Sequence, residues 1–585
     1  MNSYQDQSKQ QLLAEIERLK KELKKNKKYG LVWEEKPEEV VEMCKSKLPV
    51  LKEVKSKEII TDKDKPVNLL IEGDNYHALS VLNYTHAKKV DVIYIDPPYN
   101  TGAKDWKYNN DYIDSEDAYR HSKWLSFMAT RLKLAKQILK RDGVLCCTID
   151  DYEIFSLLGL FQNLNATVLG IVSIINKAEG RNQKKFFTGG LEYAIFVTWG
   201  NPIMRGLNAT SSDICSECGK NIVDRKYAES SEDGQEFSWV GFHRRNPVED
   251  PTSSNRWYPI YVSNKDEISV NKKTGMSEAY PINSKGEKKI WGWGKDRLEK
   301  YLINNQDGFK VKRYKIDGIE RITILHRRYK TEKVKPKSYW IGSKYNAYSY
   351  GTKLLKEILE TNETLFEFPK SIYAVIDCID IFLPEDGIVL DFFAGSGTTG
   401  HAILELNNKD EGNRKFILCT NDENNIASGV CYPRIKKVLE GYKNLKGDKV
   451  ESLDGNLKYF KTDFVDAEPT DRNKIKLTEQ ATEMLCVKEG TFEPVVDNEK
   501  FKIFKNTEYY TGVIVDQSAI PDFKKAIKNI KGKFSVYVFS LGDEIFDDEF
   551  FTEGESASGG KDVKQKVKLS PIPEAILRVY RRIFR

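Results

Sequence analysis

Asp96-Pro97-Pro98-Tyr99 follows the apolar run Val92-Ile93-Tyr94-Ile95 and leads into Asn100-Thr101-Gly102. The residue types suit chemistry on the exocyclic amine of a nucleobase. Such an amine is a poor nucleophile, because its lone pair is delocalised into the ring. A carboxylate and a main-chain carbonyl can accept its two N–H bonds and favour a tetrahedral nitrogen with the lone pair turned outward. Asp96 and the carbonyl of Pro97 are the candidate acceptors, and Tyr99 offers an aromatic face for a base taken out of its stack. The four apolar residues predict a buried strand stopped abruptly, since neither proline can donate to a sheet ladder. Asp96 is then delivered at the carboxyl end of a strand, where open α/β sheets hold their ligands.

A second constellation lies far downstream. Gly387-Ile388-Val389-Leu390-Asp391 predicts a strand, and Phe392-Phe393-Ala394-Gly395-Ser396-Gly397-Thr398-Thr399-Gly400 the turn into a helix running through Leu406. Gly395-x-Gly397-x-x-Gly400 satisfies the dinucleotide fingerprint. Taken alone it suits a nicotinamide cofactor as well as another nucleoside ligand. A glycine-rich turn brings backbone close to such a ligand, and a helix N-terminus favours a carboxylate as readily as a phosphate. S-adenosylmethionine carries that carboxylate. The next strand, 415–420, ends at Asn421-Asp422-Glu423, where an acidic residue takes ribose hydroxyls; Asp422 is the expected one, with Glu423 adjacent. Near the start of the fold, the strand 67–71 ends in Glu72-Gly73-Asp74-Asn75. Asp74 there either touches an adenosine moiety or caps the helix beginning near Tyr76.

Together these motifs resemble beta-class DNA amino-methyltransferases, and more narrowly the modification subunit of Type III restriction-modification systems. The resemblance runs from about residue 30 to the end and is weakest between 205 and 340. It implies an α/β methyltransferase fold, a seven-stranded and mostly parallel doubly wound sheet with helices on both faces. It implies an inserted target-recognition domain, a small α+β C-terminal domain and S-adenosylmethionine as cofactor. It assigns catalysis to Asp96, Pro97, Pro98 and Tyr99. To the cofactor it assigns Asp74, Asp96, Asp391, Phe393, Gly395, Gly397, Asp422 and, from the segment Phe366-Glu367-Phe368-Pro369-Lys370, Lys370. The implied partners are double-stranded DNA, a second copy of the chain and a restriction (helicase–nuclease) subunit. Asp at the head of the first motif points, by resemblance, to N6 of adenine rather than N4 of cytosine. C5-cytosine chemistry needs a Cys nucleophile after Pro, and no Pro-Cys dipeptide occurs. A nicotinamide oxidoreductase would leave Asp96-Pro97-Pro98-Tyr99 unexplained. A DNA-binding subunit without catalysis would leave the intact motifs unexplained. No G-x-x-x-x-G-K-[ST] phosphate loop is present, so cleavage would need a partner.

The elements that must position these residues read as follows. Residues 1–60 form a charged helical arm, with Leu12, Ile16, Leu19 and Leu23 in a short heptad seam that serves either a dimer or docking on its own domain, and then a charged linker from Lys45 to Lys65. Residues 61–204 form the catalytic half. In it, Trp106 to Tyr112 reads as an acidic, aromatic loop, Trp124 to Leu139 as a helix with a core-facing stripe, and Lys177 to Lys185 as a basic loop aimed at DNA backbone. Residues 205–345 are the insert, 346–445 the cofactor half and 446–585 a C-terminal assembly or DNA-contact domain ending in a basic amphipathic helix. Between 281 and 340 there are 17 Lys or Arg against 7 Asp or Glu, a local net of +10, while the whole chain carries only +6. That concentration points to phosphate contact by Arg327, Arg328 and Lys330. Cys215 and Cys218 are half of a zinc knuckle without a second Cys pair, so no metal is expected. No apolar run spans a bilayer and the N-terminus has no signal core, which places the chain in the cytoplasm with no membrane partner.

Overall fold

Residues 31–584 of the computed structural model are described here, except 63–64, 110, 178–179, 181–188, 209–228, 231–235, 245–249, 284–285, 304–305, 317–318, 330–332, 508, 543, 545 and 551–566. The heptad seam, most of the basic loop 177–185, Cys215, Cys218 and Lys330 lie outside the described residues.

Alternation along the strands builds the central layer. In chain order these are β1 (Lys47–Glu53), β2 (Ile59–Ile60), β3 (Val67–Glu72), β4 (Val90–Ile95), β5 (Leu139–Ile149), β6 (Thr167–Ile175), β7 (Leu191–Thr198), β8 (Tyr339–Trp340), β9 (Ile388–Asp391), β10 (Lys415–Thr420) and β11 (Asn456–Asp466). Along β3, β4 and β10, Leu69, Ile71, Ile93, Ile95, Ile417 and Cys419 enter one apolar cluster. Their neighbours Leu70, Val92, Tyr94, Phe416 and Leu418 enter another. Successive side chains of a strand point to opposite faces, so both faces of the sheet must be covered. Helices α1 (Asn75–Thr85), α2 (Arg120–Ile138) and α3 (Ile154–Asn163) cover the first face; α4 (Ile372–Asp380), α5 (Thr398–Asp410) and α6 (Tyr432–Glu440) cover the second.

The strand order is β1-β11-β3-β10-β9-β4-β5-β7-β6-β8, with β2 also on β11. The seven adjacent strands from β3 to β6 are the doubly wound heart, and within them only β7 runs antiparallel to its neighbours. The sheet as a whole has eleven strands, wider than the seven expected. Part of the expected charged linker is β1, an edge strand whose Pro49 lies opposite Phe464; proline is tolerated there because an edge has no further ladder to serve. The expected loop around Trp106 is also a strand pair, Ala103–Tyr108 with Asp111–Asp114, because Trp106, Tyr108 and Ile113 bury themselves in the first cluster.

The chain clusters into two units, one running to Leu207 and resuming at Lys335, the other Asn208–Val334. Residues 446–585 belong to the first. They include a five-stranded sheet with its own apolar cluster. They end in α7 (Glu574–Ile583), which buries Ile576 and Tyr580 and donates the Tyr580 hydroxyl to the Pro49 carbonyl. The basic tail helix is therefore docked on its own unit. The second unit has antiparallel strands around Phe242, Trp291 and Ile324, so part of its aromatic content is core. No described helix is long and apolar enough to cross a membrane.

Candidate active site

Strands β4 and β9 lie side by side and parallel, Leu390 opposite Ile93. Their carboxyl ends therefore bring the Asp96 turn and the Asp391–Gly400 turn together, although 295 residues separate the two aspartates in sequence. This is the switch-point crevice expected of an open α/β sheet.

Asp96 is held through one oxygen. Its Oδ1 accepts from the Thr148 hydroxyl at 2.7 Å and from the Tyr99 hydroxyl at 2.9 Å, and lies 3.1 Å from the Lys370 ammonium. Among the described residues none donates to Oδ2, and none to the carbonyl of Pro97. Pro98 is different: its carbonyl accepts from the Trp124 indole at 2.7 Å. Trp124 thus does more than fill the core, as its place on an apolar stripe had suggested. The turn is locked from the other side by Asn100, a buried residue at φ +56°. Its amide donates to Glu153 Oε1 at 2.5 Å and accepts from the Trp106 indole at 3.1 Å. Asparagine tolerates the left-handed region better than most residues and can serve both partners at once.

Lys370, which the resemblance gave to the cofactor, has its ammonium among Asp96, Tyr99 and a residue not anticipated from sequence, Glu192 on β7. It lies 2.8 Å from Glu192 Oε2 and donates to the Tyr99 hydroxyl. Burial pushes the Asp96 carboxyl above the usual aspartate range; Lys370 pulls it back and Glu192 pushes it further up. Burial also opposes the Lys370 ammonium, but Asp96 and Glu192 outweigh it and hold its pKa above the ordinary lysine value. One buried cation is shared by two carboxylates.

The glycine turn is organised by Asp391. Its Oδ1 accepts from the Phe393 amide at 2.9 Å and its Oδ2 from the Thr399 hydroxyl at 2.5 Å. Both oxygens of this predicted cofactor contact are thus engaged in shaping the turn. Gly397 caps α5 at φ +77°, a conformation that costs a side chain dearly. Among the described residues the amides of Gly395 and Ser396 have no acceptor, which suits the carboxylate of a cofactor's amino-acid arm. Arg434, fully buried, reaches Ser396 Oγ at 3.2 Å and Thr398 Oγ1 at 2.8 Å and places a positive charge beneath the turn.

Of the other expected cofactor contacts, Asp74 caps α1, accepting from the Tyr76 amide at 2.7 Å, and lies 3.5 Å from Arg131. Arg131 is fully buried and bidentate to Glu38, and Asn75 next to the cap donates to the Phe392 carbonyl at 2.9 Å. Asp422 Oδ1 accepts from the Ser428 amide at 2.7 Å, whereas Glu423 is ion-paired with Lys107 of the hairpin. Phe393 packs on Phe127, ring centroids 5.8 Å apart. In the second unit, Arg327 pairs with Asp307 at 2.6 Å and lies 5.5 Å from the Trp239 ring; the Arg328 and Lys330 side chains are outside the described residues. Among the described residues no cluster of metal-ligating side chains occurs.

The family model described as DNA methylase matches residues 90–428. The Type III restriction-modification enzyme EcoPI Mod subunit of Escherichia phage P1 is 31% identical over 398 residues, 61% of this chain and 58% of that one. Type II methyltransferase M.KpnI of Klebsiella pneumoniae is 28% identical over 404 residues, 65% of this chain and 90% of that one. The chain therefore spans somewhat over half the length of the phage relative and most of the Klebsiella one. Among solved structures, an M1.HpyAVI–SAM complex aligns with 63% of this chain and 98% of its own, at 13% identity and a TM-score of 0.28.

Proposed function

The chain belongs to the DNA methylase family, and from that premise we propose that it methylates the N6 amine of adenine in double-stranded DNA, using S-adenosylmethionine and a flipped target base. The observation that carries this reading is the pair of open acceptors, Asp96 Oδ2 and the Pro97 carbonyl, at the end of β4. A base amine placed there would donate its two N–H groups to them and regain an outward lone pair. Tyr99 would offer its ring to the flipped base, and its hydroxyl donates to Asp96. When bound, S-adenosylmethionine supplies the electrophilic methyl group. The Gly395 and Ser396 amides would hold its carboxylate, Asp422 its ribose and Asp74 its adenine edge. The assignment to adenine rather than cytosine N4 rests on Asp at the head of the motif, a family resemblance.

Similarity to Type III Mod subunits supports a role as the modification subunit of such a system in the cytoplasm, working as a homodimer and with a separate restriction subunit for any cleavage. The insert, residues 205–345, would read the target sequence, and Arg327, Arg328 and Lys330 would contact phosphates. The test is to incubate the protein with DNA and isotopically labelled S-adenosylmethionine, digest to nucleosides and identify the labelled one. N6-methyladenine supports the reading. N4-methylcytosine would move it to the other amine, and no labelled base would overturn it.

A further inference from the structure

Glu192 belongs to neither motif, yet its carboxylate reaches the reacting end of the sheet. It is the second residue of β7, just before Tyr193, which pairs with Ile149 of β5, and it is 5% exposed. Its Oε2 accepts from Lys370 at 2.8 Å and lies 3.2 Å from the Tyr99 hydroxyl. The same ammonium lies 3.1 Å from Asp96 Oδ1. Three distant stretches of chain thus meet on one cation.

The sharing decides which oxygen of Asp96 stays open. A lysine ammonium is a compact charge with three donors on a flexible stem, so a buried one can engage more than one carboxylate oxygen. Facing Asp96 alone, Lys370 has two oxygens to take, one of them the acceptor the amine needs. Facing Glu192 as well, it is drawn to one side of Asp96, at 3.1 Å from Oδ1, the oxygen that also accepts from Thr148 and Tyr99. We propose that Glu192 is a positioning residue for methyl transfer, which draws the Lys370 ammonium aside so that it fixes Asp96 Oδ1 and leaves Oδ2 to the target amine. The proposal rests on the methyltransferase reading above. It differs from a merely structural ion pair, whose loss would weaken the fold without selectively slowing transfer.

The test uses the full chain, its DNA substrate and saturating S-adenosylmethionine. Single-turnover methyl transfer and cofactor affinity are measured for wild type, Glu192→Gln and Glu192→Asp. Glu192→Gln is expected to slow transfer about tenfold or more, the scale of a misplaced catalytic group, with cofactor affinity within about twofold of wild type. Glu192→Asp should fall between the two. A wild-type rate in Glu192→Gln, or a loss confined to cofactor affinity, would overturn the proposal. Should Glu192→Gln fail to fold, Glu192→Asp decides: slowed transfer at unchanged cofactor affinity supports it, and a wild-type rate overturns it. Wild-type protein that transfers no methyl group to any DNA would instead defeat the methyltransferase reading itself.

Discussion

The Trp124 indole donates to the Pro98 carbonyl at 2.7 Å, bridging 26 residues of chain. That bond occupies the second proline carbonyl of the turn and leaves the first one, Pro97, without a protein donor among the described residues. Helix α2 thereby orients a main-chain acceptor that no side chain could supply. Trp124→Phe should lose the tether and, because Trp124 is fully buried, leave a cavity beside it. The partly buried carbonyl left unpaired should cost about 1–3 kcal/mol of stability, to which the cavity adds. Methyl transfer should slow more than cofactor affinity falls. Denaturant unfolding and single-turnover assays check both.

Tyr99 is expected to act through both its ring and its hydroxyl. Tyr99→Phe removes a donor from Asp96 Oδ1 but keeps the ring, so it should lower the transfer rate and leave binding of DNA with an unpaired target base nearly intact. Tyr99→Ala should also weaken that binding by about 1–3 kcal/mol, the scale of an aromatic–base stack. Equal DNA affinity in the two variants would mean that the ring does not stack.

Asp391 predicts a pH dependence of stability. Burial pushes its carboxyl up to about 7, against the pull of the Thr399 and Phe393 hydrogen bonds. An unfolded aspartate titrates near 4. The native state thus binds this proton more tightly, and the group's contribution is full below about pH 4 and is lost as pH rises through about 7. Asp391→Asn, neutral throughout, should flatten that part of the decline. Unfolding midpoints at pH 5 and pH 8 should differ more in wild type than in the variant.

Gly397 caps α5 in the left-handed region, and a Cβ there would meet Cys431 Sγ at 3.0 Å. Gly397→Leu should cost at least about 1 kcal/mol of stability from backbone strain alone. It should also weaken S-adenosylmethionine binding by deforming the Gly395–Ser396 amides. Calorimetric titration showing normal affinity would place the cofactor elsewhere.

Much of this site was legible from sequence because its parts are local. A strand stopped at Asp96-Pro97-Pro98 and another opening into Gly395–Gly400 each announce themselves within ten residues. The unbroken apolar run Val92 to Ile95 forecasts a strand buried on both faces. Glu192 was invisible for the opposite reason. It is an ordinary acidic residue near the start of a strand, brought to Asp96 only by the antiparallel entry of β7 between β5 and β6. Trp124 was read as core because its indole N–H acts from within an apolar stripe, and hydropathy does not register one polar atom. Lys107 and Glu423 pair across 316 residues, a contact that no local pattern encodes. The edge strand β1 was missed because Pro49 and its charged flanks resemble a linker.

Transfer of labelled methyl to DNA by Asp96→Ala, with cofactor affinity measured alongside, tests the central assignment most directly. In this account Asp96 holds the target amine, while the Gly395 and Ser396 amides would hold the cofactor's carboxylate. The expected result is therefore no detectable transfer with S-adenosylmethionine affinity within a few fold of wild type. Near-normal turnover at saturating cofactor, together with a large loss of cofactor affinity, would contradict it.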